Sequence, residues 1–234
     1  IVKNGGKRPV VIESDLYAED AAQTLAAAAI KGLGRVDILI NNAGGSRSFT
    51  DLHVSEDRWQ EAMTLNFHRP RQVADALIDQ MITNKWGRII NITGKSEPEH
   101  VNGAFCAKAG IHSWAKGLSR MVGKDGVTVN CIPPGRILSE QILRNYTPEY
   151  RQWQSDNEIP VGRYGEPEEL ANLVCVLASP LASYITGTVI AVGTRLSDFT
   201  TGSHSLFAQA RLINLNVNAF DTRKWRGIEL LADA

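Results

Sequence analysis

Hydrophobic and polar positions along the chain alternate between short apolar runs and longer stretches with apolar residues at helical spacing. The apolar runs predict strands at P-V-V-I-E (9–13), V-D-I-L-I (36–40), R-I-I-N-I-T (88–93), V-T-V-N-C-I (127–132) and G-T-V-I-A-V (187–192). The helical spacing predicts helices over about 18–33, 56–82, 103–122 and 166–178, with broken helix up to about 155 after the fourth strand. Beyond about residue 193 no period is sustained, apart from a short strand predicted around 212–217.

This alternation predicts an α/β fold with a parallel sheet. Continuously apolar strands joined by helices are typical of sheets that helices cover on both faces. In such folds ligands bind beyond the carboxyl ends of the strands, near the point where the strand order reverses. N-N-A-G (41–44), I-T-G-K-S (92–96) and P-P-G-R (133–136) all follow predicted strands. One shared cleft at these strand ends is therefore expected.

Composition narrows the class of partner. The 234 residues include 25 basic and 25 acidic side chains, so no net charge points to nucleic acid or to an anionic membrane. No apolar run reaches the roughly 20 residues of a membrane span, and no leader pattern is visible, so we expect a cytoplasmic protein. Cys106, Cys131 and Cys175 lie far apart in apolar segments, which favours buried free thiols over a metal site.

Several further segments, in their order and spacing, resemble the short-chain dehydrogenase/reductase family. The matching segments are Asp15-Leu16, N-N-A-G (41–44), Asn66 in L-N-F, I-I-N-I-T (89–93), Lys108 in A-K-A-G, N-C-I-P-P-G-R-I-L-S (130–139), V-G-R-Y-G-E-P-E-E-L-A (161–171) and S-Y-I-T-G-T-V-I-A-V (183–192). The resemblance covers residues 1 to about 192 and implies a doubly wound, Rossmann-like parallel sheet. Residues 193–234 lie outside it and are expected to form an unmatched extension.

The resemblance also implies an activity. Members of the family transfer a hydride between a nicotinamide dinucleotide, NAD or NADP, and a small carbonyl or alcohol. A small-molecule substrate and a homodimer or homotetramer are expected on the same ground. One interpretation of Tyr146, Tyr150 and Trp153 is an aromatic lid over the substrate. The alternative for that region is an exposed pair of amphipathic helices.

The matching positions carry the family's site roles by resemblance. Asp15 would contact the adenine edge, and Asn66 would hold a water of the proton relay. Lys108 would hold the ribose and lower the pKa of a catalytic tyrosine. The positions implied to line the cofactor are Asp15, Asn41, Ala43, Gly44, Lys108, Pro134, Gly135, Ile137 and Ser139.

Two catalytic positions of the family pattern are filled by residues without a hydroxyl. Four residues before Lys108, on the same helix face, the tyrosine position holds Ala104, and the serine position falls on Gly94. Losing a general acid typically costs about 10²–10⁴ in rate, so activity of this chain is in doubt. The residues that could supply a hydroxyl or a proton instead are Thr93, Ser96, Glu99 and His100.

The family's glycine-rich turn, T-G-x-x-x-G-x-G, has no counterpart here. The resemblance therefore implies that this sequence lacks the first β-α-β unit, a stretch of about 50–60 residues that would also select NAD or NADP. A sheet without that unit should not fold natively, because two strand edges would face a gap of about 10 Å. Three readings stay open: an oxidoreductase with an altered site, a catalytically silent binding protein of the same fold, and a fragment without function of its own.

Overall fold

The computed structural model describes residues 6–47, 49, 51–94, 100–192, 213–215 and 228–230. The chain divides into two compact units. The first comprises residues 1–93, 98–132 and 174–188, and the second comprises residues 94–97, 133–173 and 189–234.

The first unit contains a parallel sheet of three strands with helices between them. The strands β1 (Ile38–Asn41), β2 (Gly87–Ile92) and β3 (Val127–Ile132) lie side by side in that order. Asn41 pairs with Asn91, and Asn91 with Cys131, so all three strands end at the same edge. The helices of this unit are α1 (Ala21–Leu33), α2 (Glu56–Met63), α3 (Arg69–Thr83) and α4 (Gly103–Val122). The predicted α/β class and parallel sheet are confirmed.

Burial is uneven across this sheet. Strands β2 and β3 are buried along nearly their whole length, whereas Ile38 and Ile40 of β1 are 41% and 46% exposed. Within the described sheet β1 has a neighbour on one side only. The strand predicted over 36–40 therefore forms, but the expected cover of helices on both faces does not bury it.

Two other predicted strands do not form as regular strands. No strand is found over 9–13, where Val11 is 86% exposed, because no described strand pairs with it and receives its backbone hydrogen bonds. The predicted strand over 187–192 is hydrogen-bonded to β3 only through its first residues. Gly187 N–H donates to Val129 O over 2.8 Å, and Cys131 N–H donates to Thr188 O over 3.0 Å, so its first residues follow β3.

The predicted helix over 56–82 is interrupted in its middle. A π-helical turn, Thr64–His68, separates α2 from α3, and Arg69 N–H donates to Thr64 O five residues back. Pro70 explains the break, since proline has no N–H to donate to the carbonyl of Asn66 and its ring clashes with that carbonyl in a regular helix. Asn66 consequently lies inside the turn.

Helix α4 begins and ends where the sequence predicts. Its first turn is capped by Asn102, whose side-chain oxygen accepts from Ala104 N–H over 2.9 Å and from Phe105 N–H over 3.3 Å. Gly103 lies so close to α2 that a Cβ there would approach Ala62 Cβ to 2.7 Å. The face buried against the unit carries Ala104, Ala107, Ile111 and Ala115 at helical spacing.

The second unit contains short helices and a small strand pair. The helices are α5 (Glu140–Asn145) and α6 (Pro148–Asn157), and α7 (Pro167–Ala178) passes from this unit into the first at Leu173. Tyr150 stacks on Trp153 with ring centroids 5.8 Å apart, and both rings are about half exposed. Strand β4 (Ile213–Leu215) lies within the predicted 212–217 segment and pairs in parallel with β5 (Ile228–Leu230).

The three thiols differ in exposure. Cys131 is buried in β3, which confirms the prediction of a buried thiol. Burial raises the pKa of Cys131 to about 12. Cys106 and Cys175 are exposed, so the prediction is wrong for them. Cys106 lies between Ala104 and Ala107, which fill the buried face of α4, and it points to the opposite side. In the part of the chain that the structure describes, no helix is long and apolar enough to cross a bilayer.

Candidate functional site

Asn66 clamps the loop that follows β1. Its side-chain nitrogen donates to Gly45 O over 2.9 Å and to Ala62 O over 2.9 Å, and its side-chain oxygen accepts from Gly45 N–H over 3.2 Å. Asparagine is unfavourable inside a regular helix because its side chain competes for backbone groups. Here the Asn66 amide has hydrogen-bond partners, because the π-helical turn places it next to the backbone of Gly45. Turns of this kind are frequent at functional sites.

Gly44 brings this clamp together with the lysine of the site. A Cβ at Gly44 would lie 3.0 Å from Asn66 Oδ1 and 3.5 Å from Lys108 Nζ. The absence of a side chain leaves room for a ligand to approach the backbone closely. Three residues predicted separately from the sequence therefore meet beyond the carboxyl end of β1.

Lys108 is held by the end of the neighbouring strand. Its Nζ donates to Thr93 O over 2.7 Å, one residue beyond β2. Burial lowers the pKa of Lys108 because the charged ammonium loses water. The Lys108 ammonium and the Asn66 amide therefore both lie beside Gly44.

The hydroxyl group in this cluster is that of Thr93, and it is paired with a histidine. Thr93 Oγ1 lies 2.8 Å from Nε2 of His112, which is 7% exposed, and burial lowers the pKa of His112 to about 4. The imidazole is therefore neutral at pH 7. Sequence reasoning missed His112, although it lies four residues after Lys108 on the same face of α4.

The tyrosine position holds a small buried side chain. Ala104 is 2% exposed, and Phe105 beside it is half-buried and has no hydroxyl. Of the predicted substitutes, Thr93 joins the cluster, whereas His100 is exposed at the surface. Ser96 and Glu99 lie outside the described residues. Gly94 directly follows Thr93 in the chain and belongs to the second unit.

Asn41 and Asp15 also have defined partners. The Asn41 side-chain nitrogen donates to Asn91 Oδ1 over 2.9 Å and to Pro70 O over 3.3 Å, which ties β1 to β2 and α3. Asp15 is exposed in a turn, where its Oδ1 accepts from Tyr17 N–H over 2.9 Å. Ala43 is exposed in the loop after β1. Both Asp15 and Ala43 are accessible to a ligand.

Four predicted cofactor positions lie in the second unit. Pro134 forms an isolated parallel β-bridge with Val192, and Gly135 N–H donates to Val192 O over 2.8 Å. Ile137 pairs in the same way with Gly165. Ser139 caps α5, since its hydroxyl oxygen accepts from Ile142 N–H over 3.2 Å. The hydroxyl of Ser139 therefore has a structural role, and its contact with the nicotinamide stays a prediction.

The fold and the polar cluster together define a class of protein. The protein has an α/β fold, and a polar cluster of Asn66, Thr93 and Lys108 lies at the ends of its strands. No group of three His, Cys, Asp or Glu that could bind a metal is found in residues 6–47, 49, 51–94 and 100–192. The family model described as enoyl-(acyl carrier protein) reductase matches residues 1–194. The chain belongs to this family of short-chain dehydrogenases and reductases, as the resemblance predicts.

Individual relatives show a range of activities. The chain is 34% identical to a 3-oxoacyl-(acyl-carrier-protein) reductase of Aquifex aeolicus over 77% of its own length and 73% of the relative. It is 37% identical to a 2,3-dihydroxy-2,3-dihydro-p-cumate dehydrogenase of Pseudomonas putida over 76% and 71%. A Chlamydia muridarum 3-oxoacyl-(acyl-carrier-protein) reductase is 36% identical, and the match spans 64% of that relative.

A solved structure has the same fold. L-sorbose reductase from Gluconobacter frateurii, in its complex with NADPH and L-sorbose, superimposes with a TM-score of 0.72 at 26% sequence identity. The match covers 78% of this chain and 75% of the sorbose reductase.

Proposed function

We propose that this protein binds a nicotinamide dinucleotide, NAD or NADP, and transfers hydride slowly between it and a small carbonyl or alcohol. The observation that carries the proposal is the Lys108 ammonium, held by Thr93 O and facing Asn66 across the side-chain-free Gly44. The reductases and dehydrogenases among the relatives support the reaction class, and the NADPH complex of the sorbose reductase supports the cofactor.

The residues present fit such a cofactor. A bound dinucleotide would supply the hydride, and Lys108 would donate hydrogen bonds to ribose hydroxyls from a site whose burial strengthens them. Asn66 fixes the loop through Gly45, so Gly44 presents backbone rather than side chain to the ligand. Within the first unit, Asp15 and Ala43 would line the adenosine half of the cofactor.

Slow turnover is expected because the tyrosine position, Ala104, provides no proton donor. Ala104 has only a methyl group, and the Thr93 hydroxyl is buried and paired with the neutral His112. General acid catalysis contributes about 10²–10⁴ to the rate, so its loss leaves cofactor binding intact while it slows turnover.

The first test compares two lysines of the same helix. Lys108→Met removes the ammonium of the site, while Lys116→Met removes an ammonium that donates to Gly187 O over 3.0 Å. We expect Lys108→Met to weaken binding of NADH or NADPH at least tenfold, about the effect of one charged hydrogen bond, and Lys116→Met to leave it unchanged. Fluorescence titration of the reduced cofactors measures both. Equal affinity in the parent and both variants, or no binding in any, would refute the proposal.

A catalytically silent binding protein is the second candidate, and the buried methyl group of Ala104 favours it. The double substitution Ala104→Tyr with Gly94→Ser separates the two candidates. If only the acid and the polarising hydroxyl are missing, turnover with a panel of carbonyls should rise by about 10²–10⁴. Retained cofactor binding with no gain in turnover would instead favour the silent protein.

A further inference from the structure

Arg69 is a buried arginine that binds a backbone turn. Its Nε donates to Leu16 O over 2.6 Å, and its Nη2 donates to Ala18 O over 2.6 Å and to Tyr17 O over 3.3 Å. The Nη1 donates to Gln72 on the same helix. Arg69 is 7% exposed, and a buried guanidinium is tolerated only when its donors are satisfied. Here three consecutive carbonyl oxygens satisfy them.

The turn that Arg69 binds is the one that carries Asp15. Ala18 N–H donates to Asp15 O over 3.2 Å, and Tyr17 N–H donates to the Asp15 carboxylate. The Asp15 side chain itself is exposed. The turn therefore has one polar side toward α3 and presents its carboxylate on the outside.

The chain before this turn provides little support. Residues 6–14 pair with no described strand, and most of their side chains are exposed. Burial and an electrostatic interaction with Glu61 raise the pKa of Tyr17, but this interaction involves the ring rather than the backbone. At the other end of the turn Ala21 N–H donates to Ala18 O over 3.2 Å at the start of α1. The hydrogen bonds of Arg69 connect the backbone of residues 16–18 directly to α3.

Lysine could not make the same connection. The guanidinium is a planar fork with five donors, whereas the ammonium of lysine is a compact point charge on a flexible stem. Three carbonyl groups arranged along a turn can be held in register by the fork. An ammonium at this depth would reach one or two of them and leave the others free to move.

We propose that Arg69 is a positioning residue for dinucleotide binding, because it holds the Asp15 turn so that the carboxylate meets the adenosine half of the cofactor. The proposal rests on the proposed function, in which Asp15 lines that half. A carboxylate that is already fixed can accept a hydrogen bond from the adenine amino group at little entropic cost. A mobile carboxylate must first be ordered, and the lost conformational entropy weakens binding.

Two ligands and two variants test this role. NADH contains adenosine, and reduced nicotinamide mononucleotide does not, so their affinities separate the two halves of the cofactor. Arg69→Lys should weaken NADH about tenfold and leave the mononucleotide unchanged. Arg71→Lys is the matched control, since Arg71 lies on the same helix in an exposed ion pair with Asp75 and should change neither. Equal weakening of both ligands, or weakening of neither, would overturn the proposal.

Amide hydrogen exchange on the ligand-free protein provides the second measurement. Arg69→Lys should speed exchange of the Tyr17 and Ala18 amides at least tenfold while the amides of β2 and β3 keep their protection. Unchanged exchange in the turn would show that Arg69 does not hold it. If the parent protein binds neither ligand, the proposed function fails and the role of Arg69 in binding fails with it. Faster exchange in the turn would then identify Arg69 as a structural anchor only.

Discussion

The buried imidazole of His112 couples the stability of the first unit to pH. Burial lowers its pKa to about 4, whereas in the unfolded chain the value is about 6.5. Between these values the unfolded state binds more protons than the folded state, so the free energy of unfolding falls as the pH falls from about 6.5 to 4. The loss from this group alone amounts to about 3 kcal/mol.

Chemical denaturation between pH 4 and pH 8 measures this effect. His112→Gln keeps a hydrogen-bonding group for Thr93 without a titratable ring, so we expect it to flatten the fall in stability over that range. His100→Gln, which changes an exposed histidine, serves as the control and should follow the parent curve. A His112→Gln curve parallel to that of the parent would contradict the prediction.

The sequence identified some of these residues and missed others for a physical reason. Lys108 and Asn66 are visible because each stands in a fixed local spacing, within A-K-A-G and L-N-F. His112 and Arg69 act on Thr93 and on residues 16–18, which lie 19 to 53 positions away along the chain. No local pattern encodes such a contact, since only the packing of helix against strand creates it.

Two glycines of α4 give a prediction at the scale of an element. A Cβ at Gly103 would lie 2.7 Å from Ala62 Cβ and 2.9 Å from Phe49 Cζ, whereas a Cβ at Gly117 would meet nothing within 4 Å. Gly103→Ala should therefore destabilise the protein by about 1–3 kcal/mol through overpacking. Gly117→Ala should stabilise it by about 0.5–1 kcal/mol, because alanine favours the helix interior.

Thermal or urea unfolding of the two variants gives the comparison. Both substitutions add one methyl group to the same helix, so opposite signs would distinguish the crowded position of Gly103 from the open, helix-interior position of Gly117. If Gly103→Ala were as stable as the parent, the close packing of α4 on α2 would be incorrect.

Elements defined by local chemistry were the most predictable. Helix α4 matches its predicted bounds because Asn102 caps its start and its apolar face is regular. The break at Thr64–His68 had a visible signal in Pro70, yet the long apolar period on both sides favoured one helix. The run at 9–13 has strand composition without a strand, because pairing depends on a neighbour that local sequence does not specify.

The three thiols report on folding of the whole molecule. Cys106 and Cys175 are exposed and should react with a thiol reagent in native buffer, whereas Cys131 is buried and its pKa is raised to about 12. We expect two rapid modifications in native buffer and a third only after urea unfolds the chain. Mass spectrometry of the modified protein counts them.

This measurement also addresses the reading of the chain as a fragment without function. Protection of Cys131 that is lost in one cooperative transition would show a stable fold. Equal reaction of all three thiols in native buffer would contradict the buried position of β3 and favour the fragment.

The cap of α4 has a consequence for chemical ageing. Asn102 and Gly103 form an asparagine–glycine pair, the sequence in which the backbone nitrogen most readily attacks the preceding side chain and converts the amide to a carboxylate. In the folded protein both ends of that amide are held, the oxygen by Ala104 N–H and the nitrogen by Ser46 Oγ over 2.9 Å. The attack requires the amide to rotate away from both partners. Acidification at Asn102 during storage would therefore record the time that this helix start spends unfolded.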